Sequence, residues 1–424
     1  MFKNFDQRLG IVFAIQITEV LGFSLILPFL PFYALEYGAS PFTVGMILTV
    51  FSLFQFISSP IMGSLSDGYG RRPLLLLSQF STFISFLVLG FANSLWLIFL
   101  SRIIDGLLGS NFTIAQAYIS DITSKKNRSK AFGLSSAAFG FGFLIGPAIG
   151  GYLSRFGYSV PAFLAAGISL LSILLTYFYL PETIKNKKDR RNFSFSEIKI
   201  IDLSRFKKYF NKPQVSFVLW QFFLFSLAHI VWTSSFAVYG NLKFGLTAET
   251  VGFLLAYIGL LSVILRSLVI PKLIDYFKER SLTILGMSVI ILGLLLAPFF
   301  HTLSPFFIVI TLFAFGTGIS RPLLMGAISR SAPDNEQGAV MGVANSLSSL
   351  TQIIGPVWGG LLLSLLFPDS VLLTGAGIMT IGLILVLKQP IEKIPNPRET
   401  LPKKMRLEPI NLETNSKKQS ISKN

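Results

Sequence analysis

The sequence predicts an all-α integral membrane protein with twelve transmembrane helices in two pseudo-symmetric six-helix bundles. Three observations support this fold class: the composition, the number of long apolar runs, and a glycine–proline pattern that occurs twice. The chain is 52% hydrophobic and 13% charged, whereas soluble domains carry about 25% charged residues. It contains no cysteine, which excludes a disulfide scaffold and any thiolate metal site.

Apolar runs of 18 or more residues mark membrane-spanning helices. Six such runs precede a polar, basic connection and six follow it. The runs lie near 9–33, 43–63, 74–93, 95–119, 132–153, 159–180, 214–239, 248–270, 281–300, 305–327, 339–366 and 370–387.

Four segments follow from this division of the chain. Each six-helix bundle is expected to be a domain, with a cytoplasmic linker between the two and a disordered, basic cytoplasmic tail after the second. The segments are 1–184, 185–213, 214–390 and 391–424.

The basic residues indicate the topology. Of the 36 Lys and Arg residues, only Arg155 and Lys243 fall in connections on the side opposite the termini. The positive-inside rule therefore places both termini in the cytoplasm of a plasma (inner) membrane. The net charge of +16 reflects topology, so we expect a lipid bilayer and small-molecule substrates as partners, no nucleic acid, and a monomer.

The linker allows two interpretations. Phe195, Ile198, Ile201, Phe206 and Phe210 are spaced so that they could follow one face of a helix on the membrane surface. A flexible tether explains the same composition equally well.

The glycine–proline pattern lies in the fifth span and returns in the eleventh. Gly142, Gly146 and Gly150 are four residues apart, so a helix presents them as one bare stripe that a neighbouring backbone can approach. Pro147 should bend the helix. We expect this stretch to pack at the interface between the halves and to seal the closed cavity. Its glycines and proline are Gly133, Gly142, Gly146, Pro147, Gly150 and Gly151.

Two parallel six-helix repeats joined by a cytoplasmic linker are the plan of alternating-access transporters, which bind their substrate between the halves. Polar residues within the spans are candidates for lining that cavity, although a lone helical histidine is more often a packing residue. The candidates are Asn111, Gln116, His229, Arg321, Asn345 and Gln352. The sequence shows no metal-ligand cluster, nucleophile elbow or phosphate loop, so we expect neither an enzyme nor a cofactor or metal.

Three ionisable residues in the spans are candidates for proton coupling. Inserting a charged side chain at the bilayer centre costs about 2.5–3.5 kcal/mol of free energy. Such a residue therefore indicates a polar cavity or an ion pair. Arg102 and Asp105 are three residues apart on one helical face, which is typical of a structural pair. Glu19 lies at a similar depth in the first span and could alternate between pairing with Arg102 and holding a proton. A permanent Glu19–Arg102 bridge is the alternative.

The connection between the second and third spans reads GSLSDGYGRRPLL. It resembles the corresponding loop of the major facilitator superfamily, with Gly68 where that family usually has Arg. The resemblance implies a conformational latch in which Asp67 meets the helix that begins near 339 and the arginine pair meets Asp121. The latch residues in the loop are Gly63, Asp67, Gly70, Arg71 and Arg72.

The fifth-span stretch resembles the antiporter motif of the same superfamily at every specified position. The segments at 115–133 and 180–183, and a first span carrying Glu19 in place of Asp, are similar to the tetracycline-efflux branch of drug–proton antiporters. The resemblance implies export of a small amphipathic solute or drug by alternating access. It also links Arg102 to proton transfer.

Three positions depart from that branch. Ser85, Leu261 and Ile290 stand where the branch has an Asp, a His and an Asp that serve metal–drug binding and proton coupling. Tetracycline–Mg²⁺ is therefore not the substrate that the sequence favours. A facilitator or symporter that imports a metabolite, and a non-transporting membrane sensor, remain alternatives.

Overall fold

The computed structural model describes residues 7–124, 127–183, 203–333 and 336–388, most of them in helices. We call 7–183 the first half and 203–388 the second half. The helices of the first half are α1 (Gln7–Ile26), α2 (Leu30–Glu36), α3 (Pro41–Tyr69), α4 (Arg71–Gly90), α5 (Leu95–Leu108), α6 (Asn111–Ile122), α7 (Arg128–Leu153) and α8 (Ser159–Tyr179). Those of the second half are α9 (Leu203–Phe210), α10 (Pro213–Phe244), α11 (Ala248–Ile264), α12 (Ile270–Tyr276), α13 (Glu279–Leu296), α14 (Leu303–Arg330), α15 (Gln337–Leu365) and α16 (Ser370–Lys388).

These helices confirm the twelve expected spans. Eleven segments of the described chain are long and apolar enough to cross a membrane, and α11 is a shorter apolar helix that continues through a π-helical turn into α12. The first span combines α1 and α2, and the fourth combines α5 and α6. An even number of consecutive antiparallel spans brings both described ends to one side, which we call the terminal face; the other side is the opposite face.

Two spans are interrupted, each for a local reason. Pro28 lies in the turn between α1 and α2, where its missing N–H cannot continue the helix. Between α5 and α6 the chain turns at Gly109 and Ser110. A Cβ on Gly109 would collide with the backbone carbonyl of Asp105 and would lie 2.9 Å from its Oδ1 atom, so this turn has room only for glycine.

The two halves repeat one packing scheme around the glycine–proline helices. Gly146 of α7 lies against Ser24 of α1, and the Ser24 hydroxyl donates to the Gly142 carbonyl at 2.9 Å. In the second half Gly359 of α15 lies against Ser235 of α10, although the Ser235 hydroxyl makes no hydrogen bond within the described residues. This shared scheme is the structural counterpart of the sequence repeat.

The closest approaches between the halves lie toward the opposite face. A Cβ on Gly252 of α11 would meet the Pro147 carbonyl of α7, and a Cβ on Gly45 of α3 would meet the Pro356 carbonyl of α15. Nearby, the Thr49 hydroxyl donates to the Ile353 carbonyl at 2.9 Å. The halves are therefore closed against each other at the opposite face.

The described part of the linker is a short helix packed on the second half. Phe206 and Phe210 of α9 stack at 6.1 Å, Phe210 meets Trp220, and Lys208 donates to Glu336 at 2.6 Å. This hydrogen bond lowers the pKa of the Glu336 carboxyl. The other apolar linker positions and the tail after 388 fall outside the described residues.

Candidate functional site

The buried charges of the fourth span form an ion pair. Arg102 and Asp105, 3% and 4% exposed, lie one helical turn apart with Nη1 and Oδ2 at 3.5 Å. The Thr82 hydroxyl of α4 donates to Asp105 Oδ1 at 2.9 Å. This is the structural pair that the three-residue spacing suggested.

The guanidinium of Arg102 is held by the helix it stands on and by α4. It donates to the hydroxyls of Ser101 at 3.2 Å and Ser85 at 3.1 Å, and it lies 5.9 Å from the centre of the Phe86 ring. Ser85, one of the three departures noted in the sequence, is therefore a neutral acceptor for this arginine.

Glu19 joins the same network through neutral donors. The amide of Asn111 donates to Glu19 Oε2 at 2.5 Å and to the Thr82 hydroxyl at 3.1 Å, and the Ser172 hydroxyl donates to Oε1 at 2.7 Å. A continuous hydrogen-bond chain thus runs from Glu19 through Asn111 and Thr82 to Asp105.

The expected pairing of Glu19 with Arg102 is not found among the described residues. Arg102 is satisfied by Asp105 and two serines, whereas Glu19 lies level with Asn111, which begins a new helix beyond the Gly109–Ser110 turn. If the fourth span were one straight helix, Arg102 would lie at the depth of Glu19. The turn at Gly109 and Ser110 places Asn111 there instead. Thr82 and Ser172 were not anticipated, because isolated hydroxyls in apolar helices give no distinctive sequence signal.

The loop between the second and third spans forms a tight cluster at the terminal face. Arg71 pairs with Asp121 at 2.9 Å and also with Asp67, and it donates to the Ser66 hydroxyl at 2.6 Å. Of the arginine pair, Arg71 thus makes the expected contact with Asp121, whereas the guanidinium of Arg72 donates elsewhere. Asp67, near the end of α3, pairs with Arg71 at the start of α4. No ion pair joins it to the helix near 339 among the described residues.

Glu182 completes this cluster and was not identified from the sequence. It accepts from the backbone N–H groups of Arg71 and Arg72, both at 3.0 Å, at the start of α4, where a carboxylate is favourable. Gly70 has φ 113°, and a Cβ there would lie 2.6 Å from Glu182 Oε2. The Arg72 guanidinium donates to the Tyr177 carbonyl. The only sequence signal was an acid just after the sixth span.

The glycine stripe of α7 packs differently from our expectation. Gly142, Gly146 and Gly150 face Val20, Ser24 and Leu25 of α1, within the first half. The contact between halves uses another side of α7, where a Cβ on Gly151 would lie 2.9 Å from Gly252 Cα. Gly133 has open space around it. The stripe therefore fixes α7 to α1, and the adjacent face of α7 forms the seal.

A polar cavity of about 180 Å³ lies between α3 and α15, on the terminal-face side of that seal. Asn345 and Gln352 line it, as expected from the sequence. Its other lining residues are Ser52, Gln55, Phe56, Ser59, Pro60, Ser346 and Ser349. Its hydroxyl, amide and aromatic groups offer both polar and apolar contacts, but its volume is below the range of about 300–1,000 Å³ that most small-molecule sites have.

The other cavity candidates lie elsewhere. Asn111 belongs to the Glu19 network, and Gln116 donates to Ser135 at 2.8 Å. His229 is stacked between Phe225 and Phe313, with ring centroids at 6.2 and 5.4 Å, as a packing histidine would be. Arg321 is exposed in the middle of the tenth span.

The fold and this site define a multi-pass membrane transporter: twelve spans in two repeats, a seal at one face, a polar cavity beside it, and buried charges within the helices. The family profile of the Major Facilitator Superfamily matches residues 12–356 and 268–420. The chain belongs to this superfamily.

Similar curated proteins include drug-resistance proteins of bacteria. The chain is 29% identical to the class H tetracycline resistance protein of Pasteurella multocida over 94% of this chain and 98% of that protein. It is 31% identical to the class C tetracycline resistance protein of Escherichia coli over 83% and 88%. It is 29% identical to multidrug resistance protein 2 of Bacillus subtilis (strain 168) over 89% and 96%.

Solved transporter structures share the fold. The human organic anion transporter MFSD10 aligns with a TM-score of 0.67 at 20% identity, over 90% of this chain and 99% of that one. A peptide transporter in complex with alafosfalin aligns with a TM-score of 0.74 at 14% identity, over 91% and 94%. At these identities the likeness concerns architecture alone.

Proposed function

We propose that this transporter is a proton-driven antiporter that exports a small amphipathic solute or drug across the plasma membrane, with both termini in the cytoplasm. The observation that carries the proposal is Glu19, a half-buried carboxylate in the first span that neutral donors hold. A carboxylate without a permanent cationic partner can take up and release a proton at low cost. The tetracycline and multidrug resistance relatives support the direction of transport.

The terminal face is the cytoplasmic one in this proposal, so the described conformation is open toward the cytoplasm and closed outside. Solute enters the cavity between α3 and α15 as Glu19 releases its proton to the cytoplasm. The halves then close around the solute and open outward. Glu19 then takes up a proton from outside, and the protonated, solute-free transporter returns to the conformation open toward the cytoplasm. Each cycle thus moves one proton in and one solute molecule out.

The solute is amphipathic and not a metal–drug complex in this proposal. Ser85 donates to the Ser101 carbonyl and accepts from Arg102. The residue at the position that holds an acid in the tetracycline-efflux branch therefore has a structural role here. Ile290 is completely buried. Neither position offers a ligand for Mg²⁺.

Ethidium, an amphipathic cation, is a direct probe of this proposal in inside-out proteoliposomes. An acidic interior should drive ethidium accumulation by the wild type, and Glu19→Gln should reduce the pH-driven rate at least about tenfold, equivalent to about 1.4 kcal/mol. Ethidium counterflow, which needs no net proton movement, should persist in that variant. Glu36→Gln, an exposed carboxylate in the same span, is the matched control.

Import by symport is the second candidate, because Arg321 exposes a cation within the tenth span, where it could attract an anionic metabolite. The same vesicles distinguish the two when pH-driven movement of small organic anions is measured beside that of ethidium. Solute movement in the same direction as the protons would replace the antiporter proposal with the symporter one.

A further inference from the structure

Besides Asn111, which leaves its Oδ1 atom unpartnered, three side chains next to Glu19 bury polar atoms that have no hydrogen-bond partner in the described part of the chain. Gln16, 3% exposed, leaves both amide atoms unpartnered; Thr176 and Gln79, each 0% exposed, leave their Oγ1 and Oε1 atoms unpartnered. They stand on α1, α8 and α4. Four such atoms in one region of a membrane bundle need a physical explanation.

The helix register places these atoms together. Glu19 of α1 and Ser172 of α8 are in contact at 2.7 Å, and the two spans run antiparallel. Gln16, three residues before Glu19, and Thr176, four residues after Ser172, are therefore each displaced one turn toward the terminal face. Gln79 joins them, since its amide donates to the Ser172 hydroxyl at 2.9 Å.

An apolar layer lies one further turn toward the terminal face. Val12, Leu75 and Leu180 are each four residues beyond Gln16, Gln79 and Thr176 in that direction, are 1–2% exposed, and belong to one cluster of buried apolar side chains. The unpartnered polar atoms thus lie between Glu19 and a hydrophobic plug. They do not border the polar cavity between α3 and α15.

We propose that Gln16, Thr176 and Gln79 form a buried hydration site in which ordered water contacts Glu19 and exchanges its proton, apart from the path taken by solute. A buried water makes two to four hydrogen bonds to otherwise unsatisfied groups, and this set of donors and acceptors supplies them. The plug confines the water in the described conformation, which prevents protons from crossing without a conformational change. The role of this water in transport rests on the proposed antiport, whereas its presence beside Glu19 does not.

Hydrogen–deuterium exchange of the Glu19 carboxyl tests the site without transport. The purified full-length protein is acidified to protonate Glu19 and mixed with ²H₂O, and its carbonyl stretch is followed by infrared spectroscopy and assigned by its loss in Glu19→Gln. Gln16→Leu and Thr176→Val should slow the exchange at least about tenfold, equivalent to about 1.4 kcal/mol. Thr176→Ser retains the hydroxyl and should exchange like the wild type.

Thr18→Val is the matched control, since the Thr18 hydroxyl bonds only to carbonyls of its own helix. Equal exchange rates in the wild type, Gln16→Leu and Thr176→Val would overturn the proposal and indicate that Glu19 exchanges its proton through the solute cavity. If Gln16→Leu does not fold, Thr176→Val alone decides, because it replaces one hydroxyl with a methyl group of similar size.

Ethidium transport separates this inference from the proposed function. A wild type that shows no pH-driven transport, together with slowed exchange in the variants, would reject antiport and retain the hydration site. Coupled transport in the wild type, together with undiminished exchange in the variants, would support antiport and reject the hydration site.

Discussion

Replacing Gly252 with alanine should push the two halves apart at the opposite face. The new Cβ would lie against the Pro147 carbonyl, 2.8 Å from Gly151 Cα and 3.2 Å from Gly151 N. All three are backbone atoms of α7, so no side-chain rotation can relieve the contact. Non-bonded carbons rest about 3.5–4.0 Å apart, so α7 and α11 must separate by about 1 Å.

The energetic effect falls on one conformation only. Overpacking of this kind costs about 1–3 kcal/mol, and it is present only while α7 and α11 are in contact at the opposite face. The ratio of molecules closed at the opposite face to molecules open there should therefore fall about 5- to 150-fold. Gly45→Ala should act in the same direction, because its Cβ would meet the Pro356 carbonyl on the other side of the seal.

Distance measurements between spin labels report this ratio. The chain has no cysteine, so cysteines introduced at the exposed Asn93 and at Phe299, 75% exposed, label only the two halves at the opposite face. The control is Gly377→Ala, where a Cβ meets nothing within 4 Å. If Gly252→Ala leaves the populations of short and long distances the same as Gly377→Ala does, the seal does not depend on this backbone contact.

Three further variants test the charges. Asp105→Asn strands Arg102 without its counter-charge and should destabilise the protein by about 3–5 kcal/mol, visible as a lower unfolding midpoint that the double variant Arg102→Met/Asp105→Leu largely restores. Arg71→Gln removes two ion pairs of the terminal cluster and should reduce transport of ethidium with little change in the amount of folded protein; normal transport would exclude a latch role. Arg155→Gln breaks a pair with Glu249 in which the arginine is 57% and the glutamate 20% exposed, so it should shift the distance populations by no more than about 1 kcal/mol. High salt should reduce the shift.

The architecture could be predicted from the sequence because many residues in each span, and a pattern that occurs twice, all indicate the same fold. Twenty apolar residues in a row need a membrane wherever they occur, and the glycine–proline pattern occurs twice with the same spacing. Each copy packs one side against the first span of its own half and another against the opposite half. Within the stretch expected to pack between the halves, Pro147 and Gly151 contact α11, whereas Gly146 packs against α1. A bare stripe shows that a neighbour is close without showing which neighbour it is.

The partner of Glu19 could not be predicted from the sequence, because it depends on a single turn within the fourth span. An uninterrupted fourth span carries Arg102 to the depth of Glu19, whereas the turn at Gly109 and Ser110 presents Asn111 there. Glu182 was missed for a related reason: its role requires that the end of the sixth span return to the start of α4, and no local pattern encodes that meeting. Side-chain pairing across helices depends on offsets of one turn, which hydropathy does not resolve.

The two halves share their scaffold but not their chemistry, and this asymmetry suggests where coupling arises. The second-half spans that correspond to the first and fourth, α10 and α14, contain no Asp or Glu. Glu19 therefore has no acidic counterpart in these two spans, and packing is a direct route by which its protonation can influence the second half. The helix α7 is placed to transmit this influence, since it contacts α1 through Gly142 and Gly146 and α11 through Pro147 and Gly151. A change in the position of α1 on protonation of Glu19 would therefore be passed to the seal through α7.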